Sequence, residues 1–168
     1  FLALQKEEEE IFFLIQDPGM TEEEREEFLN YFEEERGGSL IGFCVMGGIF
    51  SEGIDLTEER LIGTWIVGTG LPQVCLEREL LKQYFDEKGM SGFDYAYLYP
   101  GMNKVMQAAG RVIRTDTDRG MIFLLDDRFL LRQYRAVFPR EWSKAFSIRL
   151  PQTAEAVAAF WDETRTQP

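Results

Sequence analysis

Three short apolar runs limit what this chain can fold into: LIGFCVMG (40–47) and LIGTWIVGTG (61–70), bounded by glycines, and GMIFLLDDR (120–128), which ends in a pair of acids. Each is too short for a buried helix and is continuously apolar rather than alternating, as expected of strands covered on both faces. IFFLIQ (11–16) is a further run of the same kind, closed by a turn at DPGM. Between the runs the period changes. TEEEREEFLNYFEEERGG (21–38) puts Phe28, Leu29, Tyr31 and Phe32 on one side of a helix that Gly37 and Gly38 end, and helices are expected over roughly 74–88 and 99–114. LLRQYRAVF (130–138) reads as a helix stopped by Pro139, FSIRL (146–150) as a short edge strand, and TAEAVAAFWDET (153–164) as a terminal helix with Thr153 as its cap. Strands alternating with helices imply an α/β fold on a parallel sheet.

With 168 residues, 45% of them hydrophobic, the chain can bury the core of one domain. It has no apolar run of 18 residues and no basic-then-apolar leader, which predicts a cytoplasmic protein without a membrane span. Cys44 and Cys75 sit in apolar sequence and are expected as buried, reduced thiols. Histidine is absent, which removes the Ser-His and Cys-His nucleophile systems and most zinc sites; no metal ligands are expected in this chain. The net charge of −12 is unevenly spread: residues 1–60 carry 4 basic and 17 acidic side chains, whereas 104–149 carry 10 basic and 5 acidic. A local basic stretch of this kind can face a polyanion while the acidic flank stays in solvent.

The basic stretch contains QAAGRVIR (107–114). Wound as a helix, Gln107, Arg111 and Arg114 fall within about 60° of one another, flanked by Lys104 and Gly110, while Met102, Val105, Ala108, Ala109, Val112 and Ile113 take the opposite side. No acid lies between Asp94 and Asp116, so neither arginine has an i,i+3 or i,i+4 acidic partner on its own helix. Gly110 costs about 1 kcal/mol in a helix interior, which suggests that something approaches the backbone there. Arginines placed in this way suit an anion.

Two glycine-rich turns follow strands, where an open α/β sheet binds its ligands. In GGIFSEGID (47–55), Gly48 and Gly53 have the spacing of a phosphate-cradling GxxxxGK[ST] loop. Ile54 and Asp55 stand where its lysine and hydroxyl belong, so it is not one. Ser51 is not a GxSxG nucleophile, because Ile49 replaces the first glycine and no histidine is available. GTGLPQ (68–73) imitates the start of a dinucleotide fingerprint, with Gln73 in place of the third glycine and Pro72 interrupting the helix start.

Taken together, GGIFSEGIDL resembles motif V and QAAGRVIR resembles motif VI of superfamily 2 helicases of the XPD/DinG type. GTGLPQVCLERELLKQYF, FDYAYLYPGMNKVMQ and LLDDRF also read like these proteins, and the resemblance runs from about Ile11 to Trp142. It implies a RecA-like, three-layer domain, a parallel sheet with helices on both faces and without its own P-loop, serving as the second motor domain of an ATP-dependent DNA helicase. On this resemblance residues 1–150 form the partial motor domain, with motif V at 47–56 and motif VI at 107–114, and 151–168 a helix or tail. It implies further that Arg111 and Arg114 act as arginine fingers, with Gln107 sensing the nucleotide. Gly53, Asp55 and Gly110 would contact the nucleotide, Asp55 at the ribose, and Gly47, Gly48 and Ser51 the DNA backbone. ATP and Mg²⁺ would be held mainly by a first motor domain of the same polypeptide, and the strand opening the second is expected upstream of Phe1. Two other readings stay open: a nucleotide- or dinucleotide-binding α/β enzyme, and a non-catalytic interaction module using the acidic face of residues 7–35.

Overall fold

The computed structural model describes residues 10–33, 37–48, 61–113 and 118–165, with side chains to 162. Two parallel strand pairs organise it. β1 (Ile11–Ile15) pairs with β2 (Ser39–Phe43), Ile11 opposite Ser39, and β3 (Gly63–Val67) pairs with β4 (Met121–Leu125), Gly63 opposite Met121. Parallel neighbours need a crossover. The first is α1 (Glu22–Glu33), which buries Phe28 and lays Phe32 over Gly42 of β2. The glutamates at 22, 23, 24, 26, 27 and 33 are exposed. Thr21 begins α1 with a reciprocal cap: its amide donates to Glu24 Oε2 at 2.7 Å, and the Glu24 amide donates to Thr21 Oγ1 at 3.3 Å.

The second crossover contains α2 (Leu76–Glu87) and α3 (Tyr99–Ala109). The chain is already helical from residue 92, earlier than the pattern predicts, and passes through a π turn over Asp94–Leu98. Pro100 explains the widening. It has no N–H for the Ala96 carbonyl four residues back, and its ring would collide with that oxygen in a regular helix. The π turn removes the conflict, Tyr99 N–H donates to Asp94 O, and the released Ala96 carbonyl accepts from Arg78 Nη1 at 3.2 Å. Tyr97 donates to Glu79 Oε1 at 2.5 Å, which fastens α2 to the same turn and pushes the Tyr97 hydroxyl up to about 12.

One core joins β3, the long helix and the segment after β4. Ile66 of β3, Leu98, Met102, Val105 and Ala109 of the long helix, and Phe129 and Tyr134 beyond β4 form a buried cluster, edged by Met46, Ile122, Leu124, Phe138 and Trp142. Full burial of such side chains stabilises by about 1.5–3 kcal/mol each.

The strands coincide with the expected runs, β2 starting one residue earlier at Ser39, but coverage on both faces does not hold for them. Ile66 is buried against α3, whereas Trp65 and Val67 on the other face are 43% and 74% exposed, and Phe13 of β1 is 59% exposed. Trp65 stacks on Phe123 across the exposed face of the β3–β4 pair, with centroids 5.5 Å apart. Cys44 and Cys75 are free thiols as expected, but exposed rather than buried. Residues 130–138 yield only a four-residue helix, α4 (Arg132–Arg135), after a 3-10 turn at Asp127–Leu130 that Asp126 caps by accepting from Arg128 N–H at 2.9 Å. FSIRL forms no strand: residues 145–149 are irregular and lead into a 3-10 turn at Leu150–Gln152. Thr153 is not a cap, since its backbone is already helical (φ −63°, ψ −43°) and it is the first residue of α5 (Thr153–Arg165). No helix among the described residues is long and apolar enough to cross a membrane.

Candidate functional site

The carboxyl ends of β2 and β3 meet the flank of α3. After β2 the chain turns at Val45–Gly48, where Gly47 has φ +78° and Gly48 N–H donates to Val45 O at 2.9 Å. Gln16, at the exit of β1, holds this turn from the side: its amide donates to Phe43 O at 2.9 Å, and its side-chain oxygen accepts from Val45 N–H at 2.8 Å. A methyl group on Gly47 would lie 3.0 Å from Lys104 Cδ and 3.3 Å from its Nζ, so the α3 lysine lies directly over the turn.

The turn after β3 packs still more closely. Gly68 and Gly70 have φ +83° and +64°, a region open to glycine at little cost. A methyl on Gly101 of α3 would stand 2.6 Å from Thr69 O and 3.0 Å from Leu71 N, and one on Gly70 would stand 2.8 Å from Gly101 O. Gly70 of GTGLPQ is therefore explained by backbone-to-backbone contact with α3, and Gly68, which has open space around it, by its positive φ alone. This removes the basis of the dinucleotide reading. The turn does not run straight into a helix N-terminus: α2 begins only at Leu76, six residues beyond Gly70, with Cys75 in its capping position making no side-chain cap.

Of the expected motif VI residues, the structure places Gln107, Gly110 and Arg111. Gln107 is exposed on α3, and Met102, Val105, Ala109 and Val112 are buried on the opposite side, as the helical pattern requires. The helix stops short of the expected 114, at Ala109. Beyond it Gly110 N–H still reaches Met106 O at 2.8 Å, and Arg111 and Val112 tighten to i−3 carbonyls, Ala108 O at 3.3 Å and Ala109 O at 3.1 Å. This tightening brings Arg111 round to a half-buried position and leaves Ile113 47% exposed, not on the apolar side. Gly110 has φ −65°, which any residue adopts, and a methyl there would meet only carbonyl oxygens of its own preceding turn, Met106 O at 3.2 Å and Gln107 O at 3.7 Å. Neither backbone conformation nor protein packing demands glycine at 110. Arg114, and Ser51, Gly53 and Asp55 of motif V, lie outside the described residues; Gly47 and Gly48 lie within them.

Two residues at this site went unremarked or underweighted in the sequence. Gln16 carried no motif signal, being the last polar residue of an apolar run; only its position at a strand exit, where such a sheet gathers its ligands, could have singled it out. Lys104 was visible as a flank of the arginine stripe, but its place over Gly47 needs the fold. Among the described residues no three His, Cys, Asp or Glu side chains converge as a metal site. Asp126, at the end of β4, is bound by Arg128 through two side-chain hydrogen bonds of 2.9 and 2.7 Å, and the guanidinium holds its carboxyl below the usual range.

An α/β domain of this kind gathers its ligands at the carboxyl ends of its parallel strands. The comparisons define its family. The helicase C-terminal domain family matches residues 1–145, and the chain belongs to that family. A solved structure of an XPD helicase superposes on 74% of this chain with a TM-score of 0.57 at 20% identity, using 22% of the helicase, and so shares the fold. A probable ATP-dependent helicase of Methanocaldococcus jannaschii is 27% identical over 124 residues, 68% of this chain and 18% of that protein. The human regulator of telomere elongation helicase 1 is 34% identical over 112 residues, 61% of this chain and 9% of that protein. The chain thus spans less than a fifth of the length of these curated relatives.

Proposed function

We propose that this chain is the second motor domain of an ATP-dependent DNA helicase, its motor part ending near residue 150 and followed by a helical tail. In this reading Arg111 and Arg114 act as arginine fingers on ATP held by a first motor domain, Gln107 senses the nucleotide, and Gly53, Asp55 and Gly110 approach it. The observation that carries the reading is the position of Gln107 and Arg111. Gln107 is exposed on α3 opposite the buried Met102, Val105 and Ala109, and Arg111 lies half-buried two residues past the helix end, in a helicase C-terminal domain whose own residues 47–55 cannot form a P-loop.

Phosphoryl transfer spreads negative charge over the γ-phosphate oxygens, and a planar guanidinium supplies charge and directed donors together. An arginine brought in across an interface is worth about 10³–10⁵ in rate, roughly 4–7 kcal/mol of barrier. Because such a residue reaches the phosphate only when two domains close, hydrolysis and opening alternate the grip on single-stranded DNA, which lies against the Gly47–Gly48 turn and Ser51. ATP and Mg²⁺ are the cofactors of the whole protein, and this chain supplies positive charge to them rather than a metal site.

The test compares the purified 168-residue chain with the full-length protein that contains it. The full-length protein hydrolyses ATP when single-stranded DNA is added, and the chain alone does not. Steady DNA-stimulated turnover by the chain alone, abolished by Arg111→Ala, would overturn the assignment.

A further inference from the structure

We infer that Lys104 and Gln16 form a phosphate-binding pair over the Gly47–Gly48 turn. The inference rests on the motor-domain reading for the identity of the phosphate-bearing ligand, but its residues come from the geometry alone.

Gln16 has its amide plane fixed. Its Oε1 accepts from Val45 N–H at 2.8 Å, and since a backbone amide can only donate, the other end of the carboxamide is the Nε2 donor. That nitrogen is directed at Gly48, where an added methyl would lie 3.3 Å from it. On the adjacent residue the same distance, 3.3 Å, separates a methyl on Gly47 from Lys104 Nζ. Two side-chain donors, one from the exit of β1 and one from α3, therefore flank two consecutive glycines. Among the described residues, neither Gln16 Nε2 nor Lys104 Nζ has an acceptor.

The turn's own backbone offers less than its sequence suggests, because Gly48 N–H is occupied by Val45 O. What faces an incoming ligand is a point charge and a directional amide donor, with no side chain on either glycine to exclude it. A phosphate oxygen fits this pair: lysine supplies charge without orientation, and the fixed carboxamide supplies orientation. Single-stranded DNA and a nucleotide both carry such oxygens.

The experiment uses the full-length protein with Lys104→Gln, Lys104→Arg and Gln16→Glu. Gln16→Glu keeps the oxygen that Val45 N–H needs, and so keeps the turn, while replacing the donor by an anionic oxygen. Affinity for a fluorescent oligothymidylate is measured over a salt series, and the KM for ATP is measured alongside. We expect Lys104→Gln and Gln16→Glu each to weaken oligothymidylate binding on the order of tenfold, the scale of one hydrogen bond to a charged group. Lys104→Gln should also reduce the salt slope by about 0.7, the value for one phosphate contact on a single strand, and Lys104→Arg should restore it. A raised KM for ATP with unchanged oligothymidylate binding assigns the pair to a nucleotide phosphate instead. Unchanged values for both ligands in folded variants, checked by thermal melting, overturn the inference. A wild-type protein that bound neither ligand would overturn the motor-domain reading, and this inference with it.

Discussion

Replacing Gly101 by alanine sets two physical rules against each other. Gly101 lies in the first turn of α3, and helix propensity alone would make alanine better there by about 0.5–1 kcal/mol. The added Cβ would stand 2.6 Å from Thr69 O, 3.0 Å from Leu71 N and 3.1 Å from Gly70 C, all of them backbone atoms of the turn after β3. No flexible side chain can give way, and Thr69 is itself 1% exposed, so α3 must move off the β3 turn by several tenths of an ångström. Overpacking of this kind costs about 1–3 kcal/mol. A 2.6 Å contact against backbone belongs in the upper half of that range, about 2–3 kcal/mol, so after subtracting the propensity gain Gly101→Ala should destabilise by about 1–2.5 kcal/mol, which for a chain of this size lowers the melting temperature by about 2–10 °C. Thermal unfolding followed by circular dichroism decides the sign. A variant as stable as the parent, or more stable, would show that α3 does not lie on the β3 turn as described.

Two further outcomes follow from the same structure. Gly110→Ala should leave the melting temperature within about 2 °C, since φ −65° suits alanine and only the preceding turn's oxygens approach, yet it should lower DNA-stimulated ATP turnover in the full-length protein; full turnover would remove Gly110 from the nucleotide site. Replacing Glu22, Glu23 and Glu24, all exposed on α1, with Gln should leave the salt dependence of single-strand binding nearly unchanged, and a clear change in slope would put the acidic face on the DNA path.

The strands were legible because short apolar runs closed by glycines, turns or acids leave little choice, and all four strands coincide with those runs, β2 starting one residue earlier at Ser39. Phe28 was legible for the same reason, since a periodic face on a charged helix can only point inward. What the pattern missed depends on tertiary context. The π turn at Asp94–Leu98 requires knowing that Arg78 can receive the carbonyl that Pro100 leaves unpaired. The motif VI helix ends five residues early because Arg111 and Val112 tighten onto i−3 carbonyls, a choice to which helical periodicity is blind. FSIRL has strand composition, but residues 145–149 take part in neither strand pair. At the site, the motifs indicated where ligands should come, whereas the placing of Lys104 over Gly47 and the hold of Gln16 on Val45 arise from contacts between segments 29 or more residues apart.

Action of the motif VI arginines on the nucleotide can be separated from a contact with DNA. The most direct test is a charge-preserving exchange, Arg111→Lys and Arg114→Lys separately, in the full-length protein, with ATP turnover and single-strand affinity measured side by side over a salt series. Lysine keeps the attraction to DNA but loses the planar fork that the transition state uses. Turnover should fall steeply, toward the roughly 10³-fold that a finger supplies, with DNA affinity and salt slope nearly intact. Wild-type turnover in both lysine variants would contradict the finger assignment.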